Sequence, residues 1–376
     1  MNFEGLVNVC VFIGGCSVEH EISLISGLQA VLNMDKSKYN VRVVYLSKEN
    51  EFIYLKTFDS LDYFKKGLHL NKKSNCYFKR IGKTTYMIYR GKKWKVDVCF
   101  PIVHGSGVED GSIAGYINLL KVPNVCSGVT SSGVAQDKGL CKRLLKSCGV
   151  RMCKFIEVTS ESYEKKISKI LNSFSFPLII KPSLLGSSIG INVAYNIEEL
   201  KKGITNSLTF GEKVIVEQKL EDFVEYNMAC LSSKGDLVTS LVEEVKSDNS
   251  YLTFDDKYND GGLKEVCKEN RCVPANISKE LEDEIKNYTK VIYKTLGFSG
   301  VIRVDYLYDK TNNKLYFNEV NSIPGSLAFY LFKNYSFKEL IDTLIKDALF
   351  RYSKNSNLIS SFDSNILSVK NLKMKK

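Results

Sequence analysis

Residues 301–321, VIRVDYLYDKTNNKLYFNEVN, hold two β-rich runs on either side of Thr311-Asn312-Asn313. Such a segment folds back on itself, because a period-two run does not suit a helix and Asn-rich turns accept the reversal between antiparallel strands. Pairing Lys310 with Lys314 sets Asp305 opposite Glu319 and Arg303 opposite Asn321, with all four side chains on one face. Val304, Tyr306, Tyr308, Tyr316 and Val320 fall on the other face, which suits a core. Two carboxylates and a carboxamide form an oxygen-rich set of the kind Mg²⁺ takes, its remaining positions left to water or phosphate. Arg303 beside them can meet developing negative charge. An exposed face with surface ion pairs is the plainer alternative.

The rest of the chain supplies a frame for this hairpin. NVCVFIGG, VRVVYLS and VDVCFPIVHG read as strands of an open α/β sheet, and SVEHEISLISGLQAVLNM as an intervening helix with Ser17 as its N-cap. TTYMIYRGKKWKV reads as a hairpin with a Gly turn inside an insertion at 60–95. FPLIIKPSLLGSSIGINVAY holds two strands around a Gly/Ser loop, and VIVEQKL is a further strand. From Met228 the runs MACLSS and SLVEEV join the hairpin in an antiparallel α+β unit. Boundaries are expected at 1–124, 125–215 and 216–352, with a polar tail at 353–376. The Gly/Asp/Asn-rich stretch around Lys257 and Tyr258 reads as a long functional loop.

Composition removes several classes. Eleven cysteines, an odd number with no CxxC, and three histidines indicate neither a disulfide framework nor a zinc site, so reduced cytosolic thiols are expected. No apolar run reaches the length of a membrane span. Lys plus Arg exceed Asp plus Glu by 53 to 42, a net +11, but the lysines are scattered and form no aromatic-interleaved stripe for nucleic acid.

Further segments carry chemistry. Lys181-Pro182 ends an apolar strand before Ser183-Leu184-Leu185-Gly186-Ser187-Ser188-Ile189-Gly190, whose glycines let backbone NH groups approach a phosphate; an ordinary Gly/Ser turn is the alternative. His104-Gly105-Ser106-Gly107-Val108-Glu109-Asp110-Gly111 follows a buried strand, where open α/β sheets bind ligands, although His104 also suits a satisfied polar strand end. Glu19-His20-Glu21 sits in a first helical turn, where a carboxylate also complements the dipole. After Asn321, Ser322-Ile323-Pro324-Gly325 reads as a turn that can offer NH groups to an oxyanion, or as a plain type II turn.

In chain order these motifs resemble the D-alanine:D-alanine ligases of the ATP-grasp superfamily, from Val9 to about Leu349. The matching residues are Gly14-Gly15 through Ser23, His104 to Gly111, Asp137-Lys138, Lys181 to Gly190, Lys257-Tyr258, Arg303/Asp305 and Asn318 to Gly325. The resemblance implies an N-terminal open α/β domain and two α+β domains sandwiching ATP. It implies that Lys138, Lys181 and Lys257 bind nucleotide with Ser187, Ser188 and Asn318. Glu217, Gln218, Lys219 and Leu220 would form the adenine hinge, and Glu225 would hold the ribose. Asp305, Glu319 and Asn321 would hold two Mg²⁺ or Mn²⁺ ions. Glu19, Ser187 and Tyr258 would orient the first amino acid, His104 and Glu109 would bind substrate, and Arg303 with the NH of Gly325 would stabilise the tetrahedral intermediate. The implied reaction joins D-alanine to D-alanine through an acyl phosphate for peptidoglycan synthesis, in a cytoplasmic homodimer with no nucleic-acid or membrane partner.

The chain departs from the family pattern in places. Val108 replaces a Gly, Ala114 stands where Gln is frequent, and LEDFVEYN carries one extra hinge residue. Over Ser326-Leu327-Ala328-Phe329-Tyr330-Leu331-Phe332, Tyr330 stands where the family has a small Ser that binds the second carboxylate, and Leu331 follows at the same acceptor site. The acceptor is therefore D-alanine, D-serine or another D-amino acid. A nucleotide-binding regulator without turnover is the remaining alternative, against which the intact Lys181, Arg303, Asp305, Glu319 and Asn321 argue.

Overall fold

The computed structural model describes residues 5–65, 74–245, 271–356 and 358–359. Strands β1 (Val7–Gly14), β2 (Tyr39–Leu46), β3 (Phe52–Leu55) and, further on, β7 (Val98–Pro101) form a sheet of order β3-β2-β1-β7. β1 pairs in parallel with both β2 and β7, and β3 is an antiparallel edge. Val9 through Ile13 are fully buried, as a strand covered on both faces requires. The chain leaves β1 toward one side of the sheet and β7 lies on the other, so the loops after their C-terminal ends share one crevice. At Gly14, where φ is +86°, a Cβ would stand 2.4 Å from the Leu46 carbonyl oxygen, which explains the glycine. Helix α1 (His20–Asn33) follows with Glu19 at the N-cap. Ser17, expected there, lies outside the helix. Its hydroxyl accepts from the Glu19 NH at 3.1 Å and donates to the His104 carbonyl, so it is taken up in joining two loops.

The insertion forms a three-stranded sheet, β4 (Tyr77–Ile81), β5 (Thr84–Tyr89) and β6 (Lys92–Lys95), with the expected Gly turn at Arg90-Gly91. A second open sheet, of order β10-β9-β11-β8, contains β8 (Phe155–Thr159), β9 (Leu178–Pro182), β10 (Asn192–Ala194) and β11 (Lys213–Gln218). β11 runs through position 215, where a boundary is expected. Ile167, Ile170, Leu200 and Ile204 from two helices close its core.

The third sheet, β14-β13-β12-β15-β16, is antiparallel throughout: β12 (Phe223–Ser233), β13 (Asp236–Val245), β14 (Arg271–Cys272), β15 (Val301–Asp309) and β16 (Lys314–Asn321). One face packs on the helix Lys279–Thr295 through Ile285 and Ile292. The expected pairs Asp305–Glu319 and Arg303–Asn321 form, but nearer the turn the register is Tyr306–Phe317, Leu307–Tyr316 and Asp309–Lys314. Asn318 is therefore the extra residue of a β-bulge. Two corrections follow. Lys314 pairs with Asp309 in place of Lys310, and Tyr316 moves to the face of Leu307, leaving Leu315 and Phe317 as the core residues. The last helix, Phe337–Asn355, opens with a Ser336/Glu339 capping box and packs Leu340, Ile341, Leu344 and Ile345 into the first core. Ser353, where the tail was expected to begin, is still helical. None of the described helices is long and apolar enough to cross a membrane, and every described cysteine is free.

Candidate active site

The end of β9 and the open face of β15–β16 border an open cleft lined in part by Lys138, Lys181, Gly186, Glu225, Asn318 and Glu319. Two elements deliver its cations. Lys181 is the penultimate residue of β9, and Lys138 opens a helix that Asp137 caps by accepting from the Leu140 NH at 3.0 Å. Lys181 Nζ donates to Glu217 Oε2 at 3.0 Å and to Asn318 Oδ1 at 3.1 Å, tying the second sheet to the third. Lys138 Nζ donates to the Leu185 carbonyl at 2.7 Å and lies 3.2 Å from Glu319 Oε2. The bulge matters here: it lets the adjacent residues Asn318 and Glu319 both line the cleft, which strict alternation would forbid.

Glu217 is expected with Gln218, Lys219 and Leu220 in the adenine hinge. Its side chain lies buried between Lys181 and Lys142, and both ammonium groups donate to it. Burial alone would raise its pKa, yet the two cations hold it down to about 2. Gln218 Nε2 donates to the Pro177 carbonyl at 3.1 Å, and the Lys219 NH donates to the same carbonyl at 3.2 Å. Leu220 is half-buried, and Glu225, the expected ribose ligand, lines the cleft beside Leu307. Lys142 has no motif to mark it. The available signal was its spacing, four residues after Lys138 on one helix face.

Across the third sheet one transverse row of the open face reads Glu243, Asn227, Asp305, Glu319. Asp305 is buried, and Arg303 grips it bidentately through Nε at 2.7 Å and Nη2 at 2.8 Å. Asn321 Nδ2 donates to Asp305 Oδ2 at 3.1 Å. Burial opposes the charge of Arg303, but Asp305 raises its pKa well above the ordinary value, so it stays a cation. The donors fit the expected ions: two carboxylates and an amide oxygen share one patch, and cationic Arg303 and Lys138 already lie against the carboxylates. Among the described residues no group of three or more His, Cys, Asp or Glu could hold a metal, so a metal here would need the amide oxygen of Asn321 beside the two carboxylates.

On the side expected to take the first amino acid, Ser187 donates to Glu19 Oε1 across 168 residues of sequence, which brings two of the three residues of the expected orienting set together. Ser187 and Ser188 hold left-handed φ values of +54° and +57°, and Ser188 lines the cleft. Tyr258 and Lys257 lie outside the described residues. His104 and Glu109, expected to bind substrate, face a turn of the protein. His104 Nδ1 is 2.8 Å from the Ile323 carbonyl and Nε2 3.1 Å from Ser26 Oγ. Glu109 Oε1 accepts from the Ile323 NH at 2.7 Å and Ser322 Oγ at 3.1 Å, and Oε2 accepts from the Gly105 NH at 3.0 Å. Both are buried because the turn after β16 packs onto the end of β7, so they position Ser322–Gly325. Burial and the nearby Glu19 push Glu109 up to about 7, and burial pushes His104 down.

Beyond Gly325 the backbone makes a left-handed turn at Ser326, Leu327 and Ala328, with φ of +48°, +55° and +49°. Such a turn costs roughly 1–2 kcal/mol per residue, and it is held by the bond from the Ser326 NH to Ser26 Oγ at 2.9 Å. Leu331 is fully buried in the first core, so its side chain offers an acceptor no surface. The Tyr330 hydroxyl donates to Glu243 Oε2 at 3.2 Å and accepts from Arg271 Nη1 at 3.2 Å. Its burial and the Glu243 charge push its pKa up to about 12.

Comparison with known proteins agrees with this architecture. A family model described as D-ala D-ala ligase N-terminus matches residues 8–127, and one described as D-ala D-ala ligase C-terminus matches residues 144–346. The D-alanine--D-alanine ligase of Thermosipho melanesiensis is 34% identical over 369 residues, 97% of this chain and 99% of that protein. Among solved structures, VanG D-Ala:D-Ser ligase from Enterococcus faecalis superposes with a TM-score of 0.77 at 28% identity, covering 92% of this chain and 100% of its own. The D-alanine-D-alanine ligase from Coxiella burnetii gives 0.75 at 23% identity over 93% of this chain and 96% of its own, a likeness of fold. With the ATP-grasp architecture in place and the motifs running from the first strand to the last hairpin, this chain belongs to the D-alanine–D-alanine ligase family.

Proposed function

We propose that the chain joins D-alanine to a second D-amino acid, D-alanine itself in the first instance, in an ADP-forming reaction. One observation carries the reading: Lys181 bridges the two halves of the cleft to Asn318, directly beside the acidic row and Arg303. A carboxylate resists attack by an amine because oxide is a poor leaving group. In the proposed first step an oxygen of the D-alanine carboxylate attacks the γ-phosphorus of ATP, the bond to the β-phosphate oxygen breaks, and ADP leaves. The acceptor amine then attacks the acyl phosphate carbon, inorganic phosphate leaves, and the nitrogen loses a proton.

Lys138 and Lys181 hold the phosphates, and Glu19 with Ser187 orients the first amino acid. Arg303 and the Gly325 NH face the oxyanion, the latter placed by Glu109 and His104 through Ile323. Asp305, Glu319 and Asn321 would hold two Mg²⁺ or Mn²⁺ ions, which when bound offset charge on the transferred phosphate. On this reading the working units are residues 1–124, a central unit ending at Gln218 and a third up to the end of the last helix. The product serves peptidoglycan synthesis in the cytoplasm, and the chain acts as a homodimer.

A screen of ADP release with D-alanine alone and with a panel of D-amino and D-hydroxy acids tests the proposal. D-alanine-dependent release is expected. ATP binding with no release for any D-amino acid would leave a nucleotide-binding regulator. Tyr330 supports a second reading, an acceptor such as D-serine, which the same panel decides by its rank order.

A further inference from the structure

Beside Arg303 lies a buried polar group that the reaction as described does not use. Glu243 is completely buried at the end of the acidic row. It accepts from Arg271 Nη1 at 3.0 Å, from Asn227 Nδ2 at 3.1 Å and from the Tyr330 hydroxyl. Arg271 pairs with Val245 across β13–β14, which puts it on the same face as Glu243 and Asp305, and it stands close enough to Arg303 for the two charges to interact. Among the described residues only Nη1 of Arg271 is engaged and nothing takes Nε or Nη2, and the side chain is 27% exposed. Asn227, the cross-strand neighbour of Asp305, also buries an Oδ1 that no donor among the described residues reaches. Ordinary buried polar groups are satisfied, so the unengaged guanidinium donors call for an acceptor group from a ligand and the orphan Oδ1 of Asn227 for a donor group, and an amino acid carries both.

We infer that Arg271 holds the α-carboxylate of the acceptor amino acid, with Glu243 and Tyr330 fixing its guanidinium next to Arg303. The inference deepens the ligase reading and rests on it. A guanidinium fork matches a carboxylate bidentately, and its anchoring by two side chains leaves Nε and Nη2 to meet the ligand. Glu243 keeps the site close to neutral in the absence of acceptor, so it favours a zwitterionic amino acid over a free anion. Tyr330, whose hydroxyl accepts from Arg271 Nη1 and donates to Glu243, acts through Arg271.

Hydroxylamine makes the test clean, because it captures the acyl phosphate as D-alanine hydroxamate and carries no carboxylate. The wild-type protein and Arg271→Met are assayed with ATP and D-alanine, for dipeptide as D-alanine rises and for hydroxamate when hydroxylamine is added at D-alanine concentrations that fill only the first site. Arg271→Met is expected to raise the acceptor KM about 10- to 100-fold, the loss of a charge-assisted pair, with hydroxamate formation within about twofold of wild type. Arg271→Lys, which keeps the charge and loses the fork, should fall between the two, and Tyr330→Phe should raise the same KM by less than either. An unchanged acceptor KM in Arg271→Met, or an equal loss of hydroxamate and dipeptide in a variant that melts like wild type, overturns the inference. Should the methionine variant fail to fold, the lysine variant decides: an unaltered acceptor KM there is equally fatal. No hydroxamate from the wild-type protein would instead sink the ligase reading.

Discussion

Glu217 and Glu109 are both buried carboxylates, yet one is held down to about 2 and the other pushed up to about 7. Around Glu217 two lysines from different elements converge, so burial is outweighed by Coulomb attraction in a weakly screened place. Around Glu109 the donors are neutral, two backbone NH groups and a serine, and the charge that acts on it is that of Glu19. The half proposed for the nucleotide is thus assembled from opposite charges that a polyphosphate can share. The half proposed for the amino acids is assembled from hydrogen bonds that fix backbone. On the proposed reading, charge serves binding in the first and geometry serves positioning in the second.

The strongest test of this division is Glu319→Gln. Removing one acid of the row takes from Lys138 its ion pair with Glu319 and removes a proposed metal donor, so turnover should drop about 10³-fold or more, in line with losing one electrostatic stabiliser of the transferring group. The thermal midpoint should move little, since Glu319 is only partly buried. Ordinary turnover in this variant would break the assignment. Next comes Lys142→Met. Lys142 is buried and its ammonium donates to Glu217 alone in the cleft wall, so its loss leaves a buried carboxylate with one cation where it had two. Denaturant unfolding should show a loss of about 3–5 kcal/mol. A stability unchanged within error would mean that Lys181 alone balances Glu217.

Sequence pattern carried the large features of both halves and missed what joins them. Period two sorted Arg303, Asp305, Glu319 and Asn321 correctly because it is a local property. The bulge at Asn318 is invisible to it, since one inserted residue leaves no mark in a run of β-formers, and Tyr316 was assigned to the wrong face for that reason. His104 and Glu109 were found at a strand end, but only the packing of residues 219 and 214 positions further on decides that they face a turn. Lys142, Glu243 and Arg271 look like ordinary helix and strand residues. Their roles exist only once separate elements meet.

The smallest effect is the one that separates the two carboxylates most directly. Glu217 has a folded pKa below the usual 4.5, so its contribution to stability is complete above that pH and is lost as pH falls toward 2. Glu109 has a folded pKa above 4.5, so its contribution is complete below that pH and is lost as pH rises through about 7. Between pH 4.5 and 7 the Glu217 contribution is constant, and the change due to this pair comes from Glu109. Glu109→Gln should therefore flatten a decline in unfolding free energy of at most about 3 kcal/mol across that window, while leaving the acid limb below pH 4 as in wild type. Urea unfolding at half-unit pH intervals on both proteins measures the difference directly. Parallel curves would mean that Glu109 is ionised throughout, its three donors outweighing burial, and the two halves of the site would then differ less than their partners suggest.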